Sequence, residues 1–131
     1  MRAEELRKGN FVNTYLNTTE GKLYTRGTIQ ALHMNTAETE NNVTHPYNLL
    51  EGVEINDEWF TKFGFAHTKG AHTSWIEKEV EEGWIFSIQY LRAKNHAFYG
   101  RTEIKYVHEL QNLYYVLSGR ELILNNFFET K

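Results

Sequence analysis

A chain of 131 residues with no cysteine and a formal charge of −3 is one domain's worth of sequence that folds without disulfide staples, and it excludes thiolate chemistry and cysteine zinc sites. Hydrophobic residues make up 40% and aromatic residues 15%, a globular composition rich in large contact surfaces and far from that of a disordered chain. The acidic balance speaks against duplex DNA as a partner, because non-specific affinity for DNA comes chiefly from neutralising phosphates.

In chain order, residues 3 to 8 read as a short helical turn closed by Gly9-Asn10, after which Phe11-Val12 opens an extended segment. No apolar run follows the N-terminal charges, so neither a signal peptide nor a membrane-spanning helix is expected, and a cytoplasmic location is. Gly21 ends a polar turn. From Lys22 to Met34 the residues are β-branched and aromatic enough for one long strand, in which Gly27 predicts a bend or bulge. Asn35 to Thr44 is a hairpin tip or an edge strand, Pro46 punctuates it, and Tyr47 to Leu50 predicts another short strand.

Asn56 is a suitable N-cap with Asp57 and Glu58 behind it, and Ile55 and Phe60 stand at the positions of a hydrophobic staple. The spacing predicts a two-turn helix through Trp59, Phe60 and Phe63, closed by Gly64 and pressed on a sheet as a lid. His67 to Thr73 reads as a loop. Trp75 to Val80 and Trp84 to Leu91 read as a hairpin, with Trp84, Phe86, Ile88 and Tyr90 on one face, and Ala97 to Ile104 as a third strand. From Tyr106 to Ser118 the chain is a helix: at about 100° per residue Tyr106, Val107, Leu110, Leu113, Tyr114 and Leu117 share an arc of about 120°, a core-facing stripe. Gly119 stops it, Glu121 to Leu124 predicts a closing strand, and Phe127-Phe128 lie on an exposed tail. The expected fold is α+β: a small curled antiparallel sheet, barrel-like in the N-terminal half (1–55), then a short helix, a β meander and one C-terminal amphipathic helix packed on the sheet (56–131), in a single domain over 1–131.

Candidate chemistry is sparse. Ser74, Ser87 and Ser118 lie in no nucleophile elbow, and neither a Gly-rich dinucleotide loop nor a P-loop is present, so no catalytic residue and no cofactor is assigned. His67 and His72, the nearest histidine pair, are five apart and lack a third ligand at diagnostic spacing, so no metal is assigned. The helix carries a second stripe, His108, Asn112 and Tyr115 with Gln111 at its edge, which reads either as a hydrogen-bonding site or, in the plainer case, as the solvent side of the helix. Cations and aromatics interleave from Arg92 through Lys94, Tyr99 and Arg101, the mixture that binds a phosphate and stacks on a base, with Arg26 as a further cation of that kind; the plainer reading is a solvated turn beside core-facing aromatics.

Three patches carry a resemblance: Glu5-Leu6-Arg7-x-Gly9-Asn10-Phe11-Val12, Trp59-x-x-x-Phe63-Gly64-Phe65, and Val107-His108-x-Leu110-Gln111-Asn112-Leu113-Tyr114 with Leu117, Gly119, Glu121 and Leu122. In them the chain resembles a group of small uncharacterised proteins of phage, prophage and gut-bacterial genomes. The resemblance implies a phage accessory protein made in the bacterial host cytosol. Its setting suggests a non-enzymatic, sponge-like anti-defence protein, homo-oligomeric, that sequesters a small anionic, nucleotide-derived ligand such as a cyclic nucleotide or an ADP-ribose derivative. The alternative is a protein–protein module that inhibits a host protein through Phe127-Phe128 and the exposed side of the helix. An enzyme of unrecognised class ranks third.

Overall fold

A computed structural model of the chain describes residues 1–69, 74–91 and 94–124, and of residues 16–18, 22, 41, 68 and 69 the backbone only. The architecture is α+β: among the described residues, strands form two antiparallel five-stranded sheets and two segments are α-helical. Contacts divide the chain into two compact units, Met1–Glu54 with Tyr106–Asn112, and Ile55–Lys105 with the chain from Leu113 onward. No described helix is long and apolar enough to cross a membrane.

In the first unit, β1 (Phe11–Thr18), β2 (Gly21–Leu32), β3 (Thr36–Thr39) and β4 (Val43–Pro46) form an antiparallel meander. β5 (Leu50–Gly52) returns to pair with the far side of β1, giving the order β4-β3-β2-β1-β5 and curling the sheet. Successive side chains in a strand face opposite ways, so Val12 and Thr14 of β1 share a face with their β2 partners Gly27 and Thr25. One end of the hollow is filled by Leu6, Val12, Ile29, Ala37 and Leu50, all buried, with Met1 and Tyr47 packed against them. Towards the other end the same face changes to Thr14, Thr25 and Thr39, and the packing stops.

Two expectations for this half are corrected. Gly27 marks no bulge, because the β1–β2 register runs unbroken through it and the irregularity lies between Ile29 and Ala31, against β3. A Cβ at Gly27 would stand 3.1 Å from both Thr39 and Glu40, so glycine serves the close approach of β3. Tyr47 to Leu50 is not a strand either. Pro46 ends β4 at the φ of −60° that its ring imposes, Tyr47–Leu49 makes a 3-10 turn closed by Leu50 N–H on Tyr47 C=O, and only then does β5 begin.

In the second unit, α1 (Asp57–Lys62) starts where the side chain of Asn56 accepts the Trp59 N–H at 3.1 Å. It ends at Gly64, whose φ of +83° is open to glycine at no steric cost. Ile55, Trp59, Phe60 and Phe63 are all buried. The sheet runs β10-β9-β8-β7-β6, built from β6 (Ala66–Lys69), β7 (Ser74–Glu81), β8 (Trp84–Leu91), β9 (His96–Tyr99) and β10 (Thr102–Ile104). The alternation of β8 is as expected, with Phe86, Ile88 and Tyr90 buried and Trp84 half-buried at the hairpin end.

Three boundaries differ. Residues 67 to 69 belong to an edge strand paired with β7, since a polar edge needs only one neighbour, and residues 70–73, including His72, lie outside the described residues. The stretch from Ala97 to Ile104 is two strands, because Gly100 at φ +62° turns β9 into β10. Residues 121–124 are not a strand, although Leu122 is buried, and Phe127-Phe128 lie outside the described residues.

The last helix, α2 (Val107–Ser118), forms as its periodicity predicts and closes at Gly119, φ +71°. Val107, Leu110 and Tyr114 are buried, whereas Leu117 is 40% exposed, so the apolar stripe fades over the last turn. Its polar side does not face solvent throughout: His108 and Gln111 are 1% and 3% exposed.

Candidate functional site

On α2 the buried Gln111 and the half-buried Asn112 have partners in the N-terminal turn of the same unit. The Gln111 side chain accepts the Phe11 N–H at 2.9 Å and donates to the Gly9 carbonyl at 3.0 Å, pairing with the backbone on both sides of Asn10. Asn112 donates to the Glu5 carbonyl and accepts from Arg7 Nη1 and Asn10 Nδ2, each at 2.8 Å. Each of these amides meets three of its four hydrogen-bonding positions from within the chain, which explains how polar groups tolerate burial and leaves them little capacity for a ligand. Asn112 of the expected binding stripe is therefore occupied by structural bonds, and Tyr115, further along, is 41% exposed.

His108 is different. Both of its ring nitrogens are buried without a hydrogen-bond partner. Nε2 lies 3.6 Å from Glu5 Oε1, too far for a hydrogen bond, and the ring stacks on Tyr106 with centroids 5.7 Å apart. Burial pushes the imidazole below its ordinary pKa of 6.5, against the upward pull of the Glu109 and Glu5 carboxylates, so it is neutral near pH 7. Glu5 is held below the usual carboxylate value, first by the Arg2 N–H that it accepts at 3.0 Å; partial burial opposes this and His108 adds to it.

The open end of the curled sheet is a hollow of about 440 Å3, lined by residues that include Tyr15, Thr25, Arg26, Thr39, Thr44 and His45. Alternation puts Thr14, Thr25 and Thr39 on one face, and β4 brings His45, on that same face, to 3.3 Å from the Thr39 hydroxyl. Thr14 and Thr39 spend their hydroxyl protons on the carbonyls of Thr25 and Val43. Tyr15 borders the hollow next to Thr14, and its ring meets that of Tyr24, its partner on β2, with centroids 5.6 Å apart. Glu40 sits at the rim and accepts the Thr28 N–H at 2.9 Å. Of the expected ligand-binding residues Arg26 is the one that lines this hollow; the threonines and His45 escaped notice because they look like ordinary strand residues until the sheet curls.

The second-unit candidates do not converge. Lys94 and Arg101 are exposed at opposite ends of β9, whose four residues separate them by roughly 13 Å. Tyr99 is stacked on Phe86, centroids 5.2 Å apart and planes 11° from parallel, with 36% of its surface exposed. Arg92 lies outside the described residues. Among the described residues no three His, Asp or Glu side chains come together as metal ligands would. Comparisons of the chain with family models, curated proteins and solved structures find no match.

Proposed function

We propose that this protein is a binding protein, not an enzyme, that captures a small anionic, nucleotide-derived ligand in the open end of its first sheet and acts by sequestering it. The observation that carries this reading is the hollow itself. Its volume of about 440 Å3 falls in the range of small-molecule sites, about 300–1,000 Å3, and its lining residues include Arg26, Thr25, Thr44 and Tyr15. In this reading Arg26 turns a planar pair of N–H donors to a phosphate, Thr25 adds a hydroxyl and Tyr15 a surface for a base. Sequestration asks only for affinity and copy number, and a nanomolar constant corresponds to about −12 kcal/mol. The resemblance to phage proteins supports an anti-defence role in the bacterial cytosol, with a homo-oligomer as the acting form.

The test is a melting-point screen of the purified protein against cyclic dinucleotides, ADP-ribose derivatives and mononucleotides. A ligand at 100 times its dissociation constant adds about 2.7 kcal/mol of stability, and Arg26→Ala should abolish that gain, each protein being compared with its own ligand-free melting point. If no member of the panel shifts the wild type, or Arg26→Ala responds as the wild type does, the reading fails.

One observation favours a second reading, a contact surface for a host protein. Val116 and Ile123 in the second unit are 75% and 76% exposed, and Tyr115 and Leu117 about two-fifths so, a run of large apolar groups of the kind that interfaces cover. A single host protein retained by the wild type and lost on Val116→Glu would favour it.

A further inference from the structure

A second groove of about 330 Å3 lies in the first unit, lined by residues that include Glu5, Glu51, Glu54, Tyr106 and His108. Its floor follows from one glycine. A Cβ at Gly52 would fall 2.5 Å from Cγ of Tyr106, so only glycine lets that ring lie against β5, and the ring in turn stacks on His108. The Glu54–Tyr106 bridge and the Val107 N–H on the Val53 carbonyl fix the same junction through the backbone.

Two independent features of the groove point to one kind of ligand. The first is charge: three carboxylates line the groove, against the Met1 ammonium, which already donates to the Tyr47 carbonyl at 3.2 Å, and the exposed Arg2 guanidinium, 3.8 Å from Glu5 alone. Neither Glu51 nor Glu54 meets a cation among the described residues. The second is His108, whose side chain is 1% exposed and whose two nitrogens have no partner. A buried polar group without a partner is costly, and such groups in native proteins mark a functional site or a missing neighbour. Neutral imidazole presents one lone pair and one N–H; Glu5 is an acceptor already beside the ring, so what the lone pair and that carboxylate both lack is an N–H donor that carries positive charge. A bare divalent ion does not fit, because no three His, Asp or Glu side chains among the described residues converge on one point.

We propose that this groove binds a small organic cation bearing N–H donors, an alkylammonium or guanidinium compound, with its charged head at Glu5 and His108 and its remainder along Glu51 and Glu54. The site is separate from the Arg26 hollow, takes the opposite charge, and stands or falls independently of it.

Titration of the whole protein with putrescine, followed by calorimetry and by the His108 ring resonances in NMR spectra, tests the assignment. Saturable binding of one putrescine per chain that moves the His108 signals is expected. Glu51→Gln with Glu54→Gln, both on exposed side chains that the fold does not depend on, should weaken it about tenfold, while Arg26→Ala leaves it unchanged. Tetramethylammonium, which has the charge without the N–H donors, should bind at least about tenfold more weakly than putrescine. The proposal is overturned if putrescine does not saturate, if the double variant binds it as tightly as wild type, or if tetramethylammonium or magnesium moves the His108 signals equally well.

Discussion

Asn112 accepts a hydrogen bond from the Arg7 guanidinium at 2.8 Å across 105 residues of sequence. With Gln111 it fastens the middle of α2 to the turn before β1, and five side-chain bonds between amides and the backbone or side chains of residues 5 to 11 lie there at 3.0 Å or less. Replacing Gln111 by leucine preserves bulk and orphans the Phe11 N–H and the Gly9 carbonyl. Each unsatisfied group costs about 1–3 kcal/mol, so Gln111→Leu should destabilise the protein by about 3 kcal/mol, read as a lower urea midpoint at unchanged slope. A loss below about 1 kcal/mol would show that water reaches both groups and that the amide is dispensable.

The polarity of this junction also sets a pH dependence. His108 has a folded-state pKa below its ordinary 6.5, so between the two values the unfolded chain holds a proton that the native protein lacks. Stability conferred by this group is complete above about pH 6.5 and falls as the pH drops, until His108 itself is protonated in the native state. One proton sets the steepest slope at about 1.4 kcal/mol per pH unit. Glu5, also depressed, has its stabilising influence above its ordinary 4.5 and loses it at lower pH, so the two windows separate. Urea midpoints from pH 7.5 to 5 should decline in the wild type and stay flatter in His108→Gln; parallel curves would mean that His108 titrates freely in the native protein.

How much of this was legible depends on whether a residue's role is local. The Asn56 cap, the Ile55–Phe60 pair, the Phe86-Ile88-Tyr90 alternation and the Gly119 stop are all decided within a few residues, and periodicity finds them. Gly27 and Gln111 are decided by chain far away in sequence, β3 and residues 9 to 11, and a single sequence does not show who approaches whom. Polarity misled for the same reason. His108 and Asn112 look like solvent-facing helix residues because exposed helix faces are polar, yet a polar N-terminal turn is what they pack against. The Lys94-to-Arg101 mixture failed to gather because a strand of four residues intervenes, whereas Arg26 gained its neighbours only through the curl of the sheet.

Gly52 offers a sharper test of the junction than any polar change. A methyl group there would overlap the Tyr106 ring at 2.5 Å, well inside contact distance, and the ring has Gly52 and His108 as neighbours. Overpacking of this kind costs typically about 1–3 kcal/mol, and Gly52→Ala should fall in that range. Tyr106→Ala removes the ring that would be struck, so the double variant should be less destabilised than the sum of the two single changes. Additivity within about 0.5 kcal/mol would show that the ring moves aside without cost.

In the second unit the corresponding weight rests on Phe60. It is fully buried on α1, with edge contacts to Phe65 at 5.6 Å and Tyr90 at 5.4 Å between centroids. A helix of six residues is too short to persist by itself, so its existence depends on that burial and on the Asn56 cap. Truncation to alanine removes the ring and leaves a cavity among aromatics that cannot easily close, which costs about 3–5 kcal/mol. Asn56→Ala removes one capping bond and should cost about 1 kcal/mol. Chemical denaturation of the two variants should therefore rank Phe60→Ala well below Asn56→Ala in stability. The reverse order would mean that α1 is held by its cap and its backbone rather than by the aromatic side it buries.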